Sequence, residues 1–237
     1  MSDDLQSEYA KKFALRGMQT TDVIAFRCAA EILSPWIKDK RALDVGCGAG
    51  RSTEFLGRLG AIDYGVDHNP AMIEQARALA RYEPKYDVIA GGGRLPGNDS
   101  SYDLIFSSWM LLEMGNPRDI IQLLKECRRV LKDDGRAVFI VNTAEFYTGG
   151  WVSIDVDFPE NQTRLKDGQV VKARLLPEDY VVTDYYWDEK SYVNFLTQSN
   201  FAVQSIHKPL GLESDGITWK DERHTAPFAV YELYPLN

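Results

Sequence analysis

The stretch LDVGCGAGRST, residues 43–53, combines one acid with three alternating glycines. Gly46, Gly48 and Gly50 would let the backbone approach a ligand closely, as in loops that cradle phosphate groups. Asp44 changes that expectation, because a carboxylate at the end of a strand would repel a pyrophosphate and attract a cation. The loop is therefore predicted to hold a ligand that carries positive charge.

Two common nucleotide-binding motifs do not match this loop. A dinucleotide fingerprint requires a third glycine where this sequence has Arg51. A P-loop ends in Gly-Lys-Ser or Gly-Lys-Thr, whereas GRS supplies an arginine without the preceding spacing. A nicotinamide-dependent reductase would share a parallel sheet and an acid at Asp67, but Asp44 and Arg51 conflict with it.

Asp67 ends the second apolar run, YGVD, at a position where open parallel sheets place their ligands. An ionised carboxylate only accepts hydrogen bonds, so it suits a diol with two donors. The alternative is that Asp67 caps the helix that follows.

The elements that must position these residues alternate along the chain. Apolar runs predict strands at ALDVG, YGVD, YDVIA, YDLIFSS and AVFIVN, and helices are predicted from Ser52, over 70–82 and over 117–131. Asp133-Asp134-Gly135 is expected to end the last of these helices. Such alternation predicts an α/β fold with a parallel sheet and helices on both faces.

The whole chain, 1–237, is predicted to form a single domain with four parts. Residues 1–40 form a helical cap, 41–143 the cofactor-binding core, 144–187 an insertion over the site, and 188–237 a C-terminal helix and strands. The insertion follows the fifth strand, is rich in aromatic and turn residues, and has a turn-type sequence at Lys166–Gln169 that predicts a hairpin. Beyond it we expect a helix near 189–199, a strand near 201–207 and an antiparallel edge strand over 227–234.

Four blocks in order resemble the class I S-adenosylmethionine-dependent methyltransferase family. They are LDVGCGAGRST, GVDHNPAMIEQAR, YDLIFSSWMLLEM and RRVLKDDGRAVFIV, and they span residues 43–141. The resemblance implies a Rossmann-like fold with a seven-stranded, mostly parallel sheet, and S-adenosyl-L-methionine as cofactor. The sulfonium and ammonium groups of this cofactor agree with the positive ligand expected beside Asp44.

The same resemblance assigns roles in cofactor binding. Asp44 and the backbone of the three loop glycines would surround the methionine part, Asp67 would bind the ribose hydroxyls, and His68 and Met72 would flank the adenine. Further contacts are expected from Tyr9 to the carboxylate, from Ser107, and from the backbone of Gly92 and Gly93. These glycines stand in AGGGRLP, where relatives often have an acid beside the adenine.

Four residues are candidates for the chemistry of the acceptor. Glu113 follows the fourth strand and could orient an amine or take its proton, or it could simply be an exposed residue at a helix start. Asn142 directly follows the fifth strand, where its amide could face the cofactor or cap a turn. Tyr147 and Tyr180 lie beside turn-like sequence in the insertion, although most aromatic residues there are expected to be core.

The predicted function is methyl transfer from S-adenosylmethionine to a small molecule. One alternative is a cyclase or lyase, in which the aminobutyrate amine of the cofactor displaces methylthioadenosine to give a cyclic amino acid. Another is a non-catalytic cofactor-binding protein that uses 144–187 as a partner surface. The atom methylated, the acceptor and the oligomeric state are not determined by the sequence.

Composition limits the partners. The net charge of −8 disfavours a nucleic acid or an anionic membrane surface, and no apolar run is long enough for a membrane span. The three cysteines, Cys28, Cys47 and Cys127, form no C-x-x-C pair, which favours a reducing, cytoplasmic location. His68, His207 and His224 have no metal-ligand partners at suitable spacing, so no metal site is predicted.

Overall fold

The computed structural model describes residues 10–12, 14, 16, 20–81, 84–91 and 93–236. Tyr9 and Gly92 lie outside these residues. The helices within them are α1 (Val23–Leu33), α2 (Arg51–Arg58), α3 (Pro70–Leu79), α4 (Pro117–Val130) and α5 (Glu189–Gln198). The strands are β1 (Arg41–Val45), β2 (Ile62–Asp67), β3 (Lys85–Val88), β4 (Tyr102–Ser108), β5 (Leu131–Asn142), β6 (Ile154–Asp155), β7 (Gln169–Leu175), β8 (Tyr180–Tyr186), β9 (Phe201–His207) and β10 (Phe228–Pro235).

A seven-stranded sheet with the order β3-β2-β1-β4-β5-β10-β9 forms the centre of the described part of the chain. Strands β1 to β5 pair in parallel, and β10 is antiparallel to both of its neighbours. This confirms the expected seven-stranded, mostly parallel sheet. The prediction that the last strand lies at an edge is wrong, because β9 is outermost. Four successive residues of β10, Phe228 to Tyr231, are buried, which suits a strand covered on both faces.

Alternating side chains of the strands pack on the two faces of the sheet. Leu43, Ile105 and Phe139 belong to a cluster that includes residues of α4 and α5. Ala42, Phe106 and their neighbours on the other face pack with α1, α2 and the insertion. Helices therefore cover both faces, and the carboxyl ends of the strands are left to form a site.

Local signals define most helix starts. The Asn69 and Asn116 side chains accept hydrogen bonds from the backbone amides of Ala71 and Arg118, and a proline opens each helix, α3 and α4.

The predicted stop at Asp133-Asp134-Gly135 is wrong, because α4 ends at Val130 and these three residues lie in β5. The Arg128 guanidinium donates to the Leu131 carbonyl at 3.2 Å, and this contact satisfies a carbonyl just past the helix end.

The insertion contains a three-stranded antiparallel sheet, β6-β7-β8. The predicted turn is present, since the Gln169 amide donates to the Lys166 carbonyl at 3.0 Å. However, this turn leads into β7, and the hairpin itself joins β7 to β8 through residues 176–179. The hairpin prediction was therefore misplaced, because turn residues mark where the chain bends and do not identify which strands pair.

Candidate functional site

A cavity of about 490 Å³ lies where the central strands end. Its walls include Gly46 after β1, Asp67 at the end of β2, Ser108 at the end of β4 and Asn142 at the end of β5. We define its cofactor half by the lining residues Gly46–Gly48, Asp67–Asn69 and Met72. We define its acceptor half by Glu113, Asn142, Phe146, Ile154, Leu175, Tyr180–Asp184 and Phe228.

The glycine loop requires glycine for two separate reasons. Gly46, Gly48 and Gly50 have φ angles of 76°, 51° and 89°, in the left-handed region that side chains rarely adopt. A Cβ atom on Gly46 would lie 2.3 Å from Met110 Cγ, and one on Gly50 would lie 2.5 Å from the Tyr86 hydroxyl. Gly46 and Gly48 line the cavity, whereas Gly50 stands behind it at the start of α2.

Asp67 joins the two loops of the cofactor half. Its Oδ2 accepts from the Gly48 amide at 2.9 Å, and its Oδ1 accepts from the Asn69 amide at 2.8 Å. The side chain is almost buried but still lines the cavity, together with His68 and Met72. The carboxylate therefore holds the glycine loop in place and presents an edge to a ligand.

Asp44 is fully buried and does not line the cavity. Its Oδ2 accepts from the Ser52 hydroxyl at 2.6 Å and the Thr53 hydroxyl at 2.7 Å, which ties β1 to α2. Its Oδ1 is buried without a hydrogen-bond partner in the described part of the chain. Burial raises the pKa of this carboxyl to about 7. The predicted attraction between Asp44 and a cation remains a prediction.

Two further predicted cofactor residues stand outside the cavity wall. The Ser107 hydroxyl donates to the Val45 carbonyl at 2.8 Å and joins β4 to β1. Gly93 lies in a turn in which its amide donates to the Ala90 carbonyl at 2.7 Å. Their roles in cofactor binding stay predictions.

Three side chains from distant parts of the chain meet in the acceptor half. Asn142 Nδ2 lies 3.1 Å from the Tyr147 hydroxyl and 3.4 Å from Asp184 Oδ2, and the Tyr147 hydroxyl donates to the same oxygen at 3.4 Å. Asn142 and Asp184 line the cavity, whereas Tyr147 is buried behind them. Tyr147 therefore contacts the cavity-lining Asp184 from behind but does not line the cavity itself.

Asp184 was missed by the sequence reasoning. It lies on β8, where Asp184 and Tyr186 are the buried members of an alternating run. A single acid at an inward position of such a run was the signal that could have identified it. Burial and the nearby Glu113 carboxylate raise the pKa of Asp184 to about 7.

Glu113 and Tyr180 also line the cavity. Glu113 ends a short 3₁₀ helix, Met110–Glu113, that follows Trp109. Its side chain is exposed toward the open cavity, and the pKa of its carboxyl is raised by partial removal from water and by the charge of Asp67. Tyr180, at the start of β8, is half-buried and lines the same acceptor half.

A buried ion-pair network beside the glycine loop was also missed. Arg16 Nε and Arg51 Nη1 each lie 2.7 Å from Asp22 Oδ2, and Arg16 Nη1 lies 3.1 Å from Glu178 Oε2. The Arg51 guanidinium also stands 5.4 Å from the ring centre of Trp109. The sequence feature that could have pointed to this network was Arg51, a charged residue at the position where a dinucleotide motif has its third glycine.

Comparison with known proteins identifies sequences that are similar to this chain. Residues 43–139 match the family described as "Methyltransferase domain". An uncharacterised protein of Methanocaldococcus jannaschii is 27% identical over 207 residues, which cover 85% of this chain and 74% of that protein. Demethylmenaquinone methyltransferase of Tropheryma whipplei is 35% identical over 99 residues, 42% of this chain and 40% of the relative's own length.

A solved structure extends the likeness to the fold. The S-adenosylmethionine-dependent methyltransferase of Mesorhizobium loti has a TM-score of 0.64 to this chain and 21% identity, and the match covers 90% of this chain and 99% of that one.

In the part of the chain that the structure describes, no helix is long and apolar enough to cross a membrane. The same residues contain no cluster of three or more His, Cys, Asp or Glu side chains arranged for a metal ion.

Proposed function

We propose, from the premise that this chain belongs to the class I S-adenosylmethionine-dependent methyltransferase family, that it methylates a small-molecule acceptor. The protein is an enzyme, and its cofactor is S-adenosyl-L-methionine. One observation carries the proposal: the cofactor half and the acceptor half belong to one continuous cavity. A methyl group held in the first half can therefore meet an acceptor held in the second.

The residues of the cofactor half fit the cofactor. The backbone of Gly46 and Gly48 lines the cavity without a side chain, and Asp67 offers carboxylate oxygens beside it. Asp44 Oδ1, buried and unpaired among the described residues behind the glycine loop, can accept a hydrogen bond from a bridging water. When bound, the cofactor supplies a methyl group activated by the positive sulfur.

The acceptor half supports a small acceptor. A volume of about 490 Å³ for both halves is within the range of pockets for drug-sized ligands, so little space remains once a cofactor is bound. Phe146, Ile154, Leu175 and Phe228 offer apolar contact to the carbon skeleton of an acceptor. The relative from Tropheryma whipplei carries the name demethylmenaquinone methyltransferase, and that name does not refer to a nucleic acid. The net charge of −8 further disfavours a nucleic acid.

The cellular setting and the domain plan belong to the same proposal. Cys28, Cys47 and Cys127 are buried and free, which supports a reducing, cytoplasmic location. The segment 144–187 contributes Tyr180–Asp184 to the cavity, which supports its role as an active-site insertion within one domain.

The test uses purified protein and S-adenosylmethionine labelled in the methyl group, with and without a pool of small-molecule acceptors, followed by mass spectrometry. Methyl transfer predicts S-adenosylhomocysteine and a labelled product only when acceptors are present. Enzyme-dependent methylthioadenosine and a four-carbon cyclic amino acid from the cofactor alone would overturn the proposal and favour the cyclase alternative.

A further inference from the structure

The acceptor half combines carboxylates with an unpaired hydrogen-bond acceptor. Asn142 Oδ1 is buried, has no hydrogen-bond partner among the described residues, and belongs to a cavity-lining residue that is 7% exposed. The orientation of this amide is determined by its neighbours, since Nδ2 must face the carboxylate oxygen of Asp184. The free oxygen of Asn142 therefore requires a donor that the described residues do not supply.

The charges of the cavity are unevenly distributed. On the side of the glycine loop, Arg16 and Arg51 are matched by Asp22 and Glu178, which leaves that group balanced. Glu113 and Asp184 have no ion pair with a lysine or arginine in the described part of the chain, and the carboxylate of Asp67 adds a further negative charge near Glu113. A cationic ligand would compensate both carboxylates, whereas an anionic one would be repelled.

We propose that the acceptor is a primary or secondary amine whose nitrogen binds between Asn142 Oδ1 and the Asp184 carboxylate, with Asp184 taking its proton. This inference rests on the proposed methyl transfer and specifies the acceptor class. An ammonium group has the donors for both oxygens at once, whereas a phenol or alcohol has a single O–H. The apolar wall around Phe146 and Phe228 would bind the carbon skeleton of the amine.

The reaction balances without another reactant. The bound ammonium gives one proton to Asp184, which frees the nitrogen lone pair. The amine nitrogen then attacks the methyl carbon: the N–C bond forms as the S–C bond breaks, and that electron pair stays on sulfur. S-adenosylhomocysteine and an N-methylammonium product leave, and Asp184 returns its proton to water. Tyr147, which holds Asp184 from behind, is a positioning residue for this step.

Binding of small probes to the protein loaded with S-adenosylhomocysteine tests the amine site. The probes are 2-phenylethylamine, 2-phenylethanol and phenylacetate, which share a skeleton and differ in charge and donors. We expect calorimetry to show the amine binding at least about tenfold more tightly than either other probe. Asp184→Asn should weaken amine binding about tenfold or more and leave the alcohol unchanged within about twofold.

A matched control is Asp179→Asn in the same hairpin. Asp179 is exposed, and its φ of 50° is one that asparagine tolerates, so amine binding should stay at the wild-type value. Binding of the alcohol or phenylacetate as tight as that of the amine, no amine binding at about 10 mM, or an equal loss in both variants would overturn the amine site. Failure of S-adenosylhomocysteine to bind would instead contradict the proposed function itself.

Discussion

Asp22 Oδ2 accepts a hydrogen bond from Arg51 Nη1 at 2.7 Å, and this contact ties the segment before α1 to the start of α2 beside the glycine loop. The same oxygen accepts from Arg16 Nε at 2.7 Å. One carboxylate thus pairs with two guanidinium groups at the edge of the cavity, and Glu178 supplies the second negative charge. Because the three side chains are largely removed from water, the loss of any one leaves an uncompensated charge.

Asp22→Asn should lower the free energy of unfolding by about 3 to 5 kcal/mol at pH 7, because two buried arginines lose their shared carboxylate. The pair of Arg128 with the exposed Asp133 provides the control, and Asp133→Asn should cost less than about 1 kcal/mol. Urea unfolding of both variants measures the difference. Equal effects of the two substitutions would show that Asp22 does not stabilise the fold as an ion pair.

The two arginines hold the pKa of Asp22 well below its usual range. A depressed pKa gives stability that is present above the unfolded pKa, near 4, and that disappears as the pH falls toward the folded value. The stability gap between wild type and Asp22→Asn should therefore narrow as the pH is lowered from about 5 to about 2. Urea titrations at several pH values test this, and a gap that stays constant would contradict it.

Gly46→Ala should abolish cofactor binding, because its Cβ would lie 2.3 Å from Met110 Cγ in the wall of the cavity. Gly216→Ala is the matched control, since Gly216 also has a positive φ, 70°, but open space around its Cβ position. Calorimetry with S-adenosylhomocysteine should find wild-type affinity in the control alone. If Gly46→Ala binds normally, the close packing of Gly46 against Met110 is not what keeps the cofactor half in a binding-competent shape.

Asp67→Ala should weaken S-adenosylhomocysteine binding by about 1.5 to 3 kcal/mol, since a charged acceptor for the ribose and the anchor of Gly48 are both lost. Asp63→Ala, in the same strand but outside the cavity wall, should leave affinity unchanged. Circular dichroism checks that both variants fold. Unchanged affinity in folded Asp67→Ala would reject the ribose assignment.

Asp184→Asn should stabilise the ligand-free protein at pH 8. Burial and Glu113 raise the pKa of Asp184 to about 7, with the hydroxyls of Tyr147 and Tyr192 as its other titratable neighbours. Because this pKa is raised, the free energy of unfolding falls as the pH rises from about 4 to about 7. Asparagine does not ionise, so the variant does not lose this stability. The gain at pH 8 is on the order of 2 to 4 kcal/mol and should vanish near pH 4. Thermal unfolding at the two pH values measures it, and equal melting temperatures at pH 8 would contradict the predicted ionisation.

By itself, the sequence determined the parallel strands of the sheet and the positions of the glycine loop and Asp67 at the carboxyl ends of β1 and β2. These features depend on short-range signals: apolar periodicity, caps such as Asn69, and glycines such as Gly46 whose φ angles other residues rarely adopt. The motif blocks that carry the glycine loop and Asp67 meet in space because β1 and β2 are adjacent parallel strands.

Only the tertiary structure decided how distant segments meet. Asp184 lies 42 residues after Asn142, and Glu178 lies 162 residues after Arg16, yet each pair is in contact. The sequence also misplaced the hairpin of the insertion and the position of β10, because strand pairing depends on which faces can be buried together. Periodicity within a segment does not encode the side chain that another segment will place against it, so the acceptor half appears only once the insertion has folded over the strand ends.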